Sequence, residues 1–399
     1  MAPFERTAIL GACRSLTAPA ASPLIPSSRR IPQLDGLRGI AVLLVVLYHY
    51  VYLPGKPTQN WIVNHVQATF QLGWAGVDLF FVLSGFLIGG ILLDARGSTN
   101  YFSTFYLRRV YRIFPIYYIW IGAYFFVAFT GLIRWAGPLG IAQDRWTTVP
   151  VYTLFLQNTV RNHGGAFASP WLAALWSLAV EEQFYLLAPS LVRWLSKRGL
   201  VISIVLAIVG APMVRMLVFR YLPTHAQAPY VLTPCRADAL AMGVFLALAW
   251  REERWKAWLQ GHLKWLYGTL ALLSGIVYLI AWGESAFSWR TAVWGYSCID
   301  AFFSGVLILV LLRPEGLWAR ICKWPFLIEM GGISYCAYVI HLSVNHLCHS
   351  VLSVSTNGIA TLASLAVTIT AAGVLWLISK LSWRCLESPM IRRGHRFKY

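Results

Sequence analysis

The chain has 399 residues, of which 58% are hydrophobic and 12% are charged, and its mean hydropathy is +0.60. Soluble domains contain about 45–50% apolar and about 25% charged residues, so this composition excludes a soluble globular protein. The apolar residues fall in runs of about 17–22, long enough to cross a hydrocarbon layer of about 30 Å as helices. The sequence therefore predicts an all-α, polytopic membrane protein.

About ten membrane spans are predicted along the chain. They cover residues 37–53, 74–93, 113–133, 172–192, 200–219, 235–250, 265–282, 292–312, 326–347 and 359–381. An even number of spans places both termini on one side of the membrane. That side receives 23 of the 33 lysines and arginines, and the opposite side receives six. By the positive-inside rule, both termini are predicted to be cytoplasmic, in an inner or plasma membrane.

The formal net charge of +18 raises the question of a nucleic-acid partner. The basic residues are spread over several loops on one side and form no single stripe, so membrane topology and contact with lipid account for them. We therefore exclude nucleic acid as a partner. The seven cysteines include no CxxC pair, so neither a metal site nor a disulfide framework is predicted.

Three segments are predicted from the distribution of apolar and polar residues. Residues 1–33 are rich in Ala, Ser, Pro and Arg and predict a disordered cytoplasmic tail. Residues 34–387 form the transmembrane domain, and residues 388–399 form a basic cytoplasmic tail. The longest non-cytoplasmic connection, residues 134–171, contains the apolar piece Val149–Leu156 and is interpreted as a re-entrant or interfacial lid over a site.

The first span contains a histidine, His49, at a depth where ionisable groups are costly. A charge at bilayer depth costs about 2.5–3.5 kcal/mol, so each such residue suggests a functional role. His49 follows Arg38 by eleven residues, which places it about 16 Å deeper along a helix. Asp35 is about 21 Å from His49 on the same helix, too far to orient its ring, so a partner must come from another span. The alternative is a polar residue that only packs.

The third span opens with Arg108, Arg109 and Arg112, which lie on one turn of a helix at the predicted cytoplasmic interface. One or two cations there are explained by topology alone. Three arginines with interleaved tyrosines favour a phosphate clamp, because guanidinium groups match phosphate geometry and stack on aromatic rings. Simple anchoring at the interface remains the alternative.

The fourth span contains two adjacent acids, Glu181 and Glu182. Consecutive helical residues point about 100° apart, so the two can face different neighbours. One is predicted to orient His49, with Glu182 slightly preferred, and the other to pair with an arginine. The alternative is a structural pair neutralised by Arg236.

Two weaker features occur later in the chain. Arg236 and Asp238 open the sixth span with both signs of charge and form either an internal ion pair or part of a site. In the ninth span, Tyr338 and His341 lie one turn apart.

Five motifs, taken together, resemble the acyltransferase-3 family of integral membrane acyltransferases, from Arg30 to about Glu387. The motifs read LDGLRGIA at residues 34–41 with His49 downstream, GVDLFFVLSGFLI at 76–88, RRVYRIFP at 108–115, WSLAVEEQFY at 176–185 and RAD at 236–238. The resemblance implies transfer of an acyl group, usually acetyl from acetyl-CoA, to a sugar hydroxyl. Some members add a C-terminal extracytoplasmic domain, which this sequence lacks, so a stand-alone enzyme is expected.

The resemblance also implies roles for individual residues. The family's essential histidine falls on His49, its essential membrane arginine on Arg38, and its paired-arginine motif on Arg109 and Arg112. The predicted catalytic residues are His49, Glu181, Glu182 and Asp35, and the predicted substrate-binding residues are Arg38, Arg108, Arg109, Arg112, Arg236, Asp238 and Trp176. Acyl-CoA is expected as co-substrate, with no other cofactor and no metal.

The predicted function is therefore an O-acyltransferase embedded in the membrane. Cytoplasmic acyl-CoA would dock its phosphates on the arginines, and His49 would act as general base on the acceptor hydroxyl or become transiently acylated. The acceptor would be an envelope polysaccharide, a lipid-linked glycan or a glycoside, and aromatic residues such as Trp176 suit a sugar ring. A transporter or flippase for a sugar or lipid-linked substrate is the alternative.

Overall fold

The structure, a computed structural model, describes residues 31–55, 57–130, 145–160, 171–225, 227–352, 354 and 358–399. Over these residues the chain is helical and contains no β-strand, which confirms the all-α prediction. The main helices, α1 to α10 in chain order, are Pro32–Leu47, Gly76–Asp94, Tyr101–Thr130, Trp176–Trp194, Lys197–Tyr221, Ala237–Ala249, Leu263–Ala281, Tyr296–Leu312, Pro325–Val351 and Leu362–Ser382. Each coincides with one of the ten predicted spans.

Shorter helices occupy several of the connections between these elements. They are Trp61–Thr69, Arg145–Thr153, Gln157–Val160, Ala228–Val231, Glu253–Gly261, Leu317–Cys322 and Ser388–Gly394. The last of these lies within the predicted basic tail, so that segment is ordered.

Eight helical stretches in the described part of the chain are long and apolar enough to cross a membrane, so the protein is a multi-pass membrane protein. Two predicted spans are not among them. Helix α4 carries Glu181, Glu182 and Arg193 within 19 residues. Helix α6 has 13 residues, which extend about 20 Å, less than a hydrocarbon layer of about 30 Å. The count of about ten spans and the cytoplasmic location of the termini stay predictions.

The core of the molecule lies around α1, α2 and α9. In the most apolar window of each helix, 72% of the residues are buried in α9 but only 6% in α7. Helix α7 therefore presents nearly its whole surface outward, as a helix in lipid can, whereas α9 is enclosed by protein. Polar side chains on α9 are consequently held in fixed surroundings.

Glycines bring the backbones of α1 and α9 into direct contact. A Cβ on Gly39 would lie 2.1 Å from the carbonyl oxygen of Leu327, and one on Gly331 would lie 1.9 Å from that of Asp35. Neither distance is sterically possible, so only glycine permits this approach. Helices α2 and α6 meet in the same way, because a Cβ on Gly85 would lie 2.1 Å from the oxygen of Leu240.

Two predicted segments lie partly outside the described residues. Residues 1–30 of the predicted tail are not described, and α1 already begins at Pro32. In the predicted lid, residues 145–160 are described and pack against α3 and α4 through hydrogen bonds such as that from the Tyr117 hydroxyl to the Tyr152 carbonyl, 2.7 Å. The lid itself stays a prediction.

Candidate active site

His49 lies in a π-helical turn, Tyr48–Tyr52, that continues α1. Single π-helical turns in α-helices occur frequently at functional sites. The ring of His49 is half-buried, and its Nδ1 lies 2.8 Å from the carbonyl oxygen of Val45. A carbonyl oxygen can only accept a hydrogen bond, so Nδ1 of His49 carries the proton and Nε2 is the unprotonated atom of the neutral ring.

A second histidine, His341 of α9, contacts this ring. Its Nε2 lies 3.2 Å from Nδ1 of His49, and the two ring centroids are 4.9 Å apart. His341 is fully buried, and its own Nδ1 lies 2.7 Å from the carbonyl oxygen of Tyr338. The partner that the sequence required from another span is therefore this histidine.

A cavity of about 380 Å³ opens beside His49. Its aromatic lining comprises Tyr48, Trp74, Trp176, Tyr230, Phe287 and Tyr338. Gln227 adds a polar side chain to the wall. Volumes of about 300–1,000 Å³ with apolar walls and a few polar groups are typical of small-molecule sites. Trp176, predicted from the sequence, is therefore in the same site as His49.

Three of the predicted arginines meet near the other end of the bundle. Arg109 and Arg112 both lie close enough to Arg38 for their charges to act on it. Arg38 also forms a long ion pair with Asp35, 3.6 Å between Nη1 and Oδ1. The Nε of Arg109 is buried without a hydrogen-bond partner among the described residues. This arginine cluster, Arg38, Arg109 and Arg112, retains donors for an anion.

Both predicted glutamates lie beside the arginine cluster and away from His49. Glu181 accepts hydrogen bonds from the hydroxyls of Ser84, 2.8 Å, and Tyr185, 3.1 Å. The charges of Arg112 and Arg38 act on it, and Arg109 acts on Glu182.

The expected contact between His49 and a glutamate is therefore wrong. Within the described residues the ring of His49 is hydrogen-bonded to Val45 and His341, and one oxygen of Glu182 is buried without a partner. Whether the glutamates or Asp35 serve catalysis stays a prediction.

Residues 31–378 match the acyltransferase domain of the acyltransferase-3 family. The chain belongs to this family. No solved structure matches the chain significantly.

Two relatives of this acyltransferase-3 protein are named as O-acetyltransferases. The chain is 28% identical over 384 residues to the peptidoglycan O-acetyltransferase OatA of Listeria monocytogenes. The match covers 92% of this chain and 57% of that protein. The chain is 24% identical over 385 residues to the O-acetyltransferase OatA of Staphylococcus aureus, covering 93% of this chain and 58% of that protein. The chain thus spans less than two thirds of the length of either relative.

Arg108 is placed differently from the other arginines of the acyltransferase-3 motif. Its Nε and Nη2 donate to the carbonyl oxygen of Phe397, at 3.0 and 2.6 Å, and its guanidinium lies 4.8 Å from the centre of the Tyr399 ring. Arg108 therefore holds the C-terminal segment. Phosphate binding by Arg38, Arg108, Arg109 and Arg112 stays a prediction; the structure brings Arg38, Arg109 and Arg112 together, whereas Arg108 contacts Phe397.

Arg236 and Asp238 were expected to form either an internal ion pair or part of a site, and each forms a buried ion pair, though with a residue of another helix. Arg236 forms a buried ion pair with Asp78, and Asp238 pairs with Arg215, 2.9 Å. Arg236 lies over the ring of Tyr230, 5.5 Å from its centre, so it supports the cavity wall from behind. Neither residue lines the cavity, and their predicted binding of substrate stays a prediction.

Sequence reasoning did not assign His341 or Ser84 to the site. For His341, the available signal was its place one turn after Tyr338 in an apolar span, which did not indicate a partner. For Ser84, the signal was its place within the second motif.

Proposed function

We propose that the protein is a membrane-embedded O-acetyltransferase that moves an acetyl group from cytoplasmic acetyl-CoA to a hydroxyl of an envelope carbohydrate. The observation that carries this proposal is the state of His49. Its Nδ1 donates a hydrogen bond to the carbonyl of Val45, and its ring lines the aromatic cavity. Nε2 is therefore the ring nitrogen that can contact a ligand there. A neutral imidazole with a free nitrogen is suited to general base catalysis.

The arginine cluster supports the donor. Acyl-CoA carries several phosphate charges, and guanidinium groups bind phosphate with paired hydrogen bonds. Arg38 lies eleven residues before His49, about 16 Å along the helix. A donor bound by its phosphates at Arg38, Arg109 and Arg112 would extend its thioester arm along α1 toward His49.

The aromatic cavity supports the acceptor. Sugar rings present apolar C–H faces that stack on aromatic side chains, and Trp74, Trp176 and Tyr230 provide such faces next to His49. Relatives named as peptidoglycan O-acetyltransferases favour a cell-wall glycan. A lipid-linked glycan or a glycoside would fit the same aromatic lining of the cavity.

The proposed transfer requires four events. Nε2 of His49 removes the proton of the acceptor hydroxyl as the oxygen attacks the thioester carbonyl carbon. The new C–O bond forms and the C–S bond breaks. The thiolate of CoA leaves and takes the proton back from Nε2. The products are the O-acetyl ester and free CoA, and no oxidant or reductant is consumed.

The test is CoA release by the detergent-purified full chain. Acetyl-CoA labelled in the acetyl group is incubated with soluble peptidoglycan fragments, and both free CoA and labelled ester are quantified by mass spectrometry. Thiol reagents are avoided because Cys385 is free and exposed.

Equal amounts of CoA and ester, released only with the glycan present, would support the proposal. Intact acetyl-CoA after incubation with peptidoglycan fragments and with simple glycosides would contradict it and favour the transporter alternative.

A further inference from the structure

His341 is a fully buried histidine in direct contact with the catalytic candidate His49, and no family motif quoted above includes it. We propose that His341 is the positioning residue of the reaction. Its Nε2 accepts a hydrogen bond from Nδ1 of His49 and so holds Nε2 of His49 toward the acceptor hydroxyl. This role rests on the proposed function and deepens it.

The direction of each hydrogen bond follows from what the atoms can do. The carbonyl oxygen of Tyr338 can only accept, so Nδ1 of His341, 2.7 Å away, is the donor. In the neutral ring, Nε2 of His341 is then an acceptor. Nδ1 of His49 carries the proton that it donates to the Val45 carbonyl. Nε2 of His341 lies 3.2 Å from the same nitrogen and is a second acceptor of that proton. His49 therefore donates to His341, and His341 donates to the carbonyl of Tyr338.

The backbone around His341 is held on two sides. The Tyr50 hydroxyl, one residue after His49, donates to the carbonyl oxygen of His341, 2.9 Å. The Tyr338 hydroxyl and the Ser177 hydroxyl are 2.7 Å apart, which connects the preceding turn of α9 to α4. His341 is thus fixed relative to both the π-helical turn and the cavity wall.

This arrangement fits the charge changes of the reaction. When Nε2 of His49 takes the acceptor proton, its ring becomes positively charged, and an acceptor at Nδ1 stabilises that form. A neutral imidazole does so without adding a second ionised group in the core, where an unpaired charge is costly. The glutamates expected in this role lie at the arginine cluster instead.

Two substitutions separate this role from packing. In His341→Asn, the amide nitrogen can still donate to Tyr338, but the side chain is too short to reach His49. In His341→Gln, the amide oxygen can occupy the place of Nε2 and restore an acceptor. We expect kcat to fall roughly 10- to 150-fold in His341→Asn, as for loss of a hydrogen bond to a charged group, and to recover to within roughly fivefold of the parent in His341→Gln.

The KM for acetyl-CoA should stay within roughly twofold of the parental value in both variants, because the arginine cluster is untouched. His346→Leu, on the same helix, is the matched control and should keep parental kcat. If His341→Asn does not fold, His341→Leu replaces it, since leucine also lacks the acceptor.

The experiment uses the purified full chain and the acetyl-transfer assay above, with His49→Ala measured alongside. Parental kcat in folded His341→Asn or His341→Leu, with His49→Ala inactive, would overturn the role of His341 alone. Equal loss in the Asn and Gln variants with a raised KM would also overturn it and indicate a packing role. An inactive parent, or an active His49→Ala, would instead contradict the proposed function itself.

Discussion

Tyr50 donates its hydroxyl to the backbone carbonyl of His341, 2.9 Å away across 291 residues of sequence. This bond connects the π-helical turn of α1 to the middle of α9 at the height of His49. Two helices already in backbone contact through Gly39 and Gly331 are thereby also aligned along their axes. The distance between the two histidine rings depends on that alignment.

The first prediction concerns this bond. Tyr50→Phe removes the hydroxyl and keeps the ring, so we expect a loss of about 1 kcal/mol in stability and a fall in kcat of roughly three- to tenfold. Thermal melting and the acetyl-transfer assay would measure the two effects. Tyr52→Phe, in the same turn, is the control. An unchanged kcat in Tyr50→Phe would show that the alignment has no catalytic consequence.

The second prediction separates the arginines of the third helix. Arg109→Ala and Arg112→Ala should each raise the KM for acetyl-CoA roughly 10- to 150-fold, because each loses a charge-assisted contact with phosphate. Arg108→Ala should leave that KM within roughly twofold, because Arg108 is bound to Phe397. Initial rates over a range of acetyl-CoA concentrations provide the measurement. A KM increase in Arg108→Ala as large as in the other two variants would contradict the exclusion of Arg108 from the arginine cluster.

The third prediction follows from the position of Glu182 beside Arg109. Glu182 lies away from His49 and Gln keeps the shape of its side chain, so we expect kcat and the KM for acetyl-CoA of Glu182→Gln both to stay within roughly threefold of the parental values. The kinetic constants of the variant decide this. A kcat lowered by more than tenfold at constant KM would mean that Glu182 acts on the base after all.

The helices and the arginine cluster could be predicted from the sequence, whereas the surroundings of the glutamates could not. Apolar runs located all ten main helices, because hydrophobicity is a property of each segment alone. Arg38, Arg109 and Arg112 were expected to lie together with Arg108, and the structure brings these three within range of one another's charges. The direction in which Glu181 and Glu182 point was not predictable, because it depends on how α4 is rotated against its neighbours.

The pairing of His49 with His341 was also beyond sequence reasoning. It depends on which two of the ten main helices lie side by side, and the sequence near either histidine does not indicate its neighbouring helix. The glycines that permit the contact, Gly39 and Gly331, become informative once the backbones are seen to meet. The π-helical turn that contains His49 likewise has no signature in an apolar run.

The fourth prediction tests this helix contact. Gly39→Ala would place a methyl group 2.1 Å from the Leu327 carbonyl oxygen, so we expect a loss of about 1–3 kcal/mol or more and a poor yield of folded protein. Gly275→Ala on α7 is the matched control, since nothing lies within 4 Å of its added carbon. It should be neutral or stabilising by up to about 1 kcal/mol. Equal melting temperatures for both variants would contradict the close contact.

The most direct test of the central claim compares His49→Ala with His65→Ala, an exposed histidine outside the cavity lining. Each purified variant receives labelled acetyl-CoA and glycan, and the rate of ester formation is measured. General bases contribute about 10²- to 10⁴-fold, so His49→Ala should lose at least roughly 100-fold while His65→Ala keeps the parental rate. A folded His49→Ala that transfers acetyl groups at a rate close to the parental one would contradict the account.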